Sequence, residues 1–207
     1  MRGRVKAGTW LPFTAEERCD GRSFAWHAEV RLARLKLLDV VDGYVDGAGA
    51  TTGRLFGRWP VFDARDGHAT RSAAGRAALE SVVFAPTSVL PEHGVHWRAT
   101  GDDEIVAGFD LPPERPEVTV RLDRAGAVRA VSALRWGSVG RKSHGYVPCG
   151  CQVHAERRFG PLTIPGSITV SWRFGTPSAA PFFKAELTSV GPGTAAECHR
   201  TSRSQQV

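Results

Sequence analysis

The stretch RSAAGRAALESVVF, residues 71–84, is read as the one helix of a chain that otherwise reads as strand and turn. Ala74, Ala78, Leu79, Val82 and Val83 recur at spacings of three and four, which places them on one stripe of a helix. The stripe is narrow and rich in alanine, so it permits close approach to a neighbouring layer. Pro86 closes the helix, a second proline follows at Pro91, and Thr70 or Ser72 is the expected N-cap. A mostly-β chain with a single central helix needs that helix to cover part of a sheet, because a half-apolar sheet does not stay open to water.

Outward from the helix, period two dominates. Phe24, Trp26, Ala28, Val30 and Leu32 alternate with Ala25, His27, Glu29, Arg31 and Ala33. The first hairpin is read as residues 4–11 with 24–34, followed by strands at 35–44 and 55–62, the latter interrupted by Pro60. VDGAGATTGR (45–54) reads as turn. After Pro91, strands are expected at 95–99, 104–110, 118–122, 128–136, 146–159, 162–174 and 182–190, with a flexible loop over 137–145. These strands, roughly ten by this reading, are joined by short turns in one domain spanning residues 1–190. A sheet of that size curls into a half-barrel or barrel to bury its apolar face, with the helix covering or plugging it. Residues 191–207 are polar and small and are expected to form a disordered tail.

The chain has 207 residues, 42% apolar and 23% charged, which is ordinary for a globular protein. The net charge is +6, and the basic residues are mostly arginine, with only Lys6, Lys36, Lys142 and Lys184. This resembles the coding bias of a GC-rich bacterial genome. The basic residues are scattered rather than gathered with interleaved aromatics, so no nucleic-acid partner is expected. Docking of a basic protein on an anionic membrane or on nucleic acid is a third-ranked reading. No stretch has the length of a membrane span, and MRGRVKAGTWLPF lacks the apolar core of a signal peptide, so a cytoplasmic location is expected. The first strand starts almost at Met1, which suggests an upstream segment. Cys19, Cys149, Cys151 and Cys198 do not form a disulfide framework in such a protein.

Candidate chemistry is sparse. Cys149, Cys151 and His154 are potential zinc ligands, but on a strand 149 and 151 point one way and 154 the other, so no metal is expected. No cofactor motif and no nucleophile elbow is present. His27 and His96 each neighbour a tryptophan on a strand and are read as surface residues. Glu156, Arg135 and Asp103 are the candidate polar groups for acid–base work or for orienting a ligand. Trp10, Trp26, Trp59, Trp97, Trp136 and Trp172 fall on six different strands. Trp26, Trp97, Trp136, Tyr146 and Trp172 are the candidate walls of an apolar pocket.

The order GTWLPFTAEE (8–17), FAWHAEV (24–30), DGYVDGAG (42–49), APTSVLP (85–91), VHWRAT (95–100), ALRWG (133–137), YVPCG (146–150), ERRFGPLTIP (156–165), SWRFGT (171–176) and FFKAEL (182–187) resembles an uncharacterised bacterial family of unknown function, common in actinobacteria. The resemblance covers about residues 4 to 190. It implies Phe and Gly where Cys149 and Cys151 stand, and further residues upstream of the first strand. More distantly, the helix followed by PTSVLP (86–91) and the curled sheet resemble the LolA/LolB-type half-barrel of lipoprotein carriers, which holds acyl chains in an apolar cavity under a helix. The leading expectation is a domain that binds a hydrophobic small molecule or lipid. The alternative is a cofactor-free cyclase or isomerase of bacterial secondary metabolism. Oligomeric state is not legible in the sequence.

Overall fold

The computed structural model describes residues 1–192 other than 139, 141 and 142. The expected tail therefore lies almost entirely outside the described residues, with Cys198 and His199 in it.

Thirteen antiparallel strands form one sheet: β1 (Arg2–Ala7), β2 (Thr9–Cys19), β3 (Phe24–Leu32), β4 (Leu35–Val45), β5 (Ala48–Leu55), β6 (Trp59–Ala64), β7 (His96–Ala99), β8 (Glu104–Gly108), β9 (Glu117–Leu122), β10 (Val128–Gly137), β11 (Gly145–Phe159), β12 (Leu162–Trp172) and β13 (Ala180–Glu186). The order across the sheet is β6-β5-β4-β3-β2-β1-β13-β12-β11-β10-β9-β8-β7. The chain thus winds outward from β1 to the β6 edge, passes through the helix α1 (Gly67–Phe84), and returns from the β7 edge to lay β13 beside β1. The two edges are not paired with each other, so the curled sheet is a half-barrel rather than a closed barrel.

Three strand assignments differ from the sequence reading. Residues 4–11 are not one strand: Gly8, at φ +75°, turns the chain, and β1 and β2 are themselves the first hairpin. VDGAGATTGR contains all of β5 but its last residue, Leu55; the glycines, threonines and alanines of the strand show no hydropathic alternation but pair in register with β4. Residues 55–62 are split by a turn at 56–58, after which β6 resumes as an edge strand that tolerates Pro60.

The helix begins four residues earlier than expected. Asp66, not Thr70 or Ser72, is the N-cap, its Oδ1 accepting from the Ala69 N–H at 2.8 Å. Thr70 instead uses its Oγ1 to accept from the Gly49 N–H of β5 at 3.1 Å. Ala73, Ala74, Ala77, Ala78, Leu79 and Val83 are all buried, a wider face than a single stripe. The reason is that the helix lies inside the curl, against β4 and β5 on one flank and β10 on the other. Small side chains on both flanks let both halves of the sheet approach it. Opposite Ala73, a Cβ on Gly49 would stand only 2.6 Å from the alanine methyl.

The loop between β8 and β9 completes the curl. The Tyr44 hydroxyl of β4 donates to the Pro112 carbonyl at 2.6 Å, tying the N-terminal half to that loop. Tyr44 is buried, and burial pushes its phenol up to about 12. Beneath the helix the interior is packed with side chains: Phe13 stacks on Phe183 at 4.8 Å, and Trp26 meets both rings edge-on.

Candidate functional site

Strands β10 and β11 run on past the start of β9, since β9 pairs with β10 only as far as Val118 opposite Ala133. Along that uncovered edge a groove of about 950 Å³ opens between the first turns of α1, the 110–117 segment and the ends of β10 and β11. Pro112, Pro116, Ala133, Leu134, Pro148 and Phe174 supply its apolar wall. Leu134 is 61% exposed to it.

The polar wall is a closed set of side chains. Arg71, on the second turn of α1, donates from Nε to Glu114 and from Nη2 to the Tyr146 hydroxyl at 2.9 Å. Tyr146 in turn donates to Glu114 Oε2 at 2.6 Å. The Arg71 guanidinium lies 3.5 Å over the Trp136 ring. Trp136 donates its indole N–H to His68 Nδ1 at 3.1 Å, which fixes that nitrogen of His68 as an acceptor. His68 stacks on His144 with ring centroids 4.0 Å apart. The hydrogen bond to Glu114, chiefly, raises Arg71 above the ordinary arginine range. Glu114 is buried, and Arg71 and Tyr146 are the side chains that donate to its carboxyl oxygens.

A second polar cluster sits deeper, where the helix crosses β2 to β4. Glu17, Trp26 and Asp42 are cross-strand neighbours in register, and all three face the helix. Arg76 of α1 bonds Asp42 through Nη1 and Glu80 through Nε, and its guanidinium lies 4.9 Å over Trp26. Thr51 Oγ1 donates to Asp42 Oδ1 at 2.6 Å. Burial, then the neighbouring Glu80, raises the Glu17 carboxyl well above the usual carboxylate range. Burial alone would lower Arg76, but Glu80, Asp42 and Glu17 outweigh it and raise the guanidinium. Glu17 as a whole is half-buried, yet its Oε1 is sealed from solvent and unpartnered; so are Glu80 Oε2 and the Trp26 indole nitrogen. Glu17 thus lies beside the Glu80 carboxyl and the Arg76 guanidinium in a sealed polar cluster.

The residues singled out from sequence scatter over these places. Trp136 and Tyr146 line the groove. Trp26 belongs to the deep cluster. Trp172 stacks on Phe182 in the interior and lies under Arg135. Trp97 anchors the segment after the helix by donating to the Val89 carbonyl at 2.8 Å. Arg135 bonds the Ser72 carbonyl of α1 and holds the helix to β10. Glu156 accepts from the Val128 N–H beside a β11 bulge, and Asp103 is exposed in the turn before β8. Glu156, Arg135 and Asp103 are thus not brought together. Cys149 and Cys151 are enclosed, whereas His154 is exposed and bonded to Thr169. Among the described residues no three His, Cys, Asp or Glu side chains gather as a metal site. His27 is half-buried and bonded to Asp39.

Arg71, Glu114, Glu17 and Glu80 were not singled out. Glu80 on the helix was the legible signal, since it follows Arg76 by one turn, the spacing of an intrahelical ion pair.

The chain belongs to a family of unknown function (DUF6920), matched over residues 1–191. The family resemblance read from the motifs is therefore borne out. No curated protein matches the chain, and no solved structure matches it.

Proposed function

We propose that this member of the family binds an amphipathic small molecule or lipid in the groove beside the first turns of the helix. The observation that carries the reading is the apolar wall of Leu134, Pro148 and Phe174 in one groove with the Arg71–Glu114–Tyr146 set. Large apolar side chains held open to solvent favour a ligand that covers them. A rigid set of hydrogen-bonding groups beside them favours a ligand with one polar end. Because Glu114 already neutralises Arg71, that end is a hydrogen-bonding head rather than a strong anion. The likeness to the LolA/LolB-type half-barrel, a carrier of acyl chains, supports the same class of ligand. The position differs: acyl chains in those carriers lie under the helix, whereas here the groove runs alongside it.

The test is native mass spectrometry of protein purified without detergent, followed by organic extraction. A bound amphiphile is expected, and Leu134→Lys should remove it while the fold is kept. Wild-type protein free of any bound species, and unable to bind a fluorescent fatty-acid probe more tightly than Leu134→Lys, would overturn the reading.

The Glu17–Glu80 pair favours a second reading, a cofactor-free isomerase. Glu17 in its acid form would protonate one carbon of a substrate double bond while Glu80 takes a proton from the allylic carbon on the far side, so the double bond moves one position. Return of that proton from Glu80 to the adjacent Glu17 resets the pair, and no outside reagent is consumed. Rearrangement of the extracted molecule by wild-type protein but not by Glu17→Gln would support it. Identical behaviour of the two proteins would dismiss it.

A further inference from the structure

At one end of the N-terminal half two hairpin tips stand side by side, residues 32–35 between β3 and β4 and residues 55–59 between β5 and β6. The Phe56 N–H donates to the Leu37 carbonyl at 2.9 Å, and Leu55 pairs with Leu38, so the tips form one surface. That surface is apolar and uncovered: Leu32 is 55% exposed, Leu35 67%, Phe56 48% and Trp59 60%. Val61 and Phe62 extend it along β6. The rings of Phe56 and Trp59 meet edge to face at 6.0 Å. Phe56 takes φ +51°, a conformation that a bulky side chain rarely adopts. Folding alone does not call for an aromatic at this exposed turn position.

The charge around the tips is one-sided. Glu29 is occupied by Arg31 and Lys36, Asp39 by Lys36 and His27, and Asp63 by Arg65. Arg34, Arg54 and Arg58 are exposed and have no ion pair or side-chain hydrogen bond among the described residues. The nearby carboxylates are thus already matched, and three cations remain. Addition of a partner strand to the free edge of β6 is disfavoured by Pro60, which lacks an N–H to offer.

We propose that these tips dock the protein on an anionic phospholipid bilayer, with Phe56 and Trp59 in the headgroup boundary and Arg34, Arg54 and Arg58 against the lipid phosphates. Indole rings favour that boundary because one end is apolar and the other can hydrogen-bond. The apolar contact gives the depth, and the arginines give the preference for anionic lipid. The docking is independent of whether the groove holds a ligand.

The test is co-sedimentation of the full chain with vesicles of phosphatidylglycerol and phosphatidylcholine, and with phosphatidylcholine alone. Binding to the anionic vesicles is expected, weakening as salt is raised. Arg34→Glu, Arg54→Glu and Arg58→Glu should each lower the partition coefficient by roughly fivefold or more. Phe56→Ser with Trp59→Ser should abolish binding at moderate salt. A control carrying Arg98→Glu, Arg121→Glu and Arg124→Glu changes net charge as much as the three tip substitutions combined, on β7, β9 and the turn after β9, and should bind nearly as wild type. Failure to bind, equal loss in the control, or indifference to the Phe56 and Trp59 substitutions overturns the proposal. So does light scattering that shows a dimer dissociated by Trp59→Ser, which would assign the surface to a second copy of the chain. All substituted residues are exposed, and an unchanged melting temperature confirms that the variants fold.

Discussion

Glu17 of β2 and Glu80 of the helix are neighbours in the interior, and burial together with the nearby Glu80 holds the Glu17 carboxyl well above the usual carboxylate range. They are 63 residues apart in a fold whose helix crosses the sheet late in its first half, and each has a carboxyl oxygen that is sealed and unpartnered. Arg76 lies between them and Asp42, pairs with Asp42 and Glu80, and offsets part of the cluster's buried negative charge.

The pair makes stability depend on pH. Burial raises Glu17 above its unfolded value, so its favourable contribution is complete below the unfolded value and is lost as pH rises through the raised one. Stability should therefore fall from weakly acidic to neutral pH. Glu17→Gln keeps the neutral shape without the titration. It should be more stable than wild type at neutral pH and show a flatter slope in urea denaturation between about pH 5 and pH 8. A wild-type slope that survives in Glu17→Gln would assign the titration elsewhere.

Arg71 supports a carboxylate that has little access to water. Arg71→Met leaves Glu114 enclosed with only Tyr146 to satisfy it, and should cost roughly 1–2 kcal/mol. The loss is smaller than for a fully enclosed pair because the Arg71 side chain is 31% exposed. Adding Glu114→Gln to Arg71→Met removes the stranded charge and should recover part of the loss. A double-mutant cycle by chemical denaturation measures the coupling.

Legibility in the sequence followed the physics of each element. Phe24 to Leu32 was readable because every second residue is apolar, and the strands from β7 to β12 share that alternation. β5 was not, because Gly49, Thr51 and Gly53 face the helix or a ring closely and carry little hydropathic signal. The helix was readable from its alanines, but its start was not: Asp66 sits in a polar run where several residues could cap. The groove was half legible. Trp136 and Tyr146 were aromatic outliers on strands, whereas Glu114 looked like part of a proline-rich turn. Its partner Arg71 lies 43 residues away, a separation set by the return of the sheet.

The thiols offer a direct check on the interior. Burial pushes Cys149 up, against the opposing influence of Arg135, and pushes Cys151 up to about 12. Both should resist alkylation at neutral pH in the native state and react on unfolding. Mass mapping after a brief pulse of iodoacetamide reads this by peptide. Rapid native modification of Cys151 would mean that β11 opens locally.

The helix and the groove can be separated by two substitutions. Ala78 is fully buried between the halves of the curl, and Ala78→Leu inserts three carbons where no room is left. Overpacking there should cost about 1–3 kcal/mol, read as a lower melting temperature. Ala78 does not line the groove, so probe binding by the folded fraction should persist. Leu134→Lys does the reverse: the residue is exposed, so stability should move by no more than about 0.5 kcal/mol while binding is lost. A protein whose binding tracks melting temperature in both variants would be one that binds through the interior under the helix. Independent loss of the two properties places the ligand beside the helix, with α1 acting as the wall that Arg71 and Gly75 present to it.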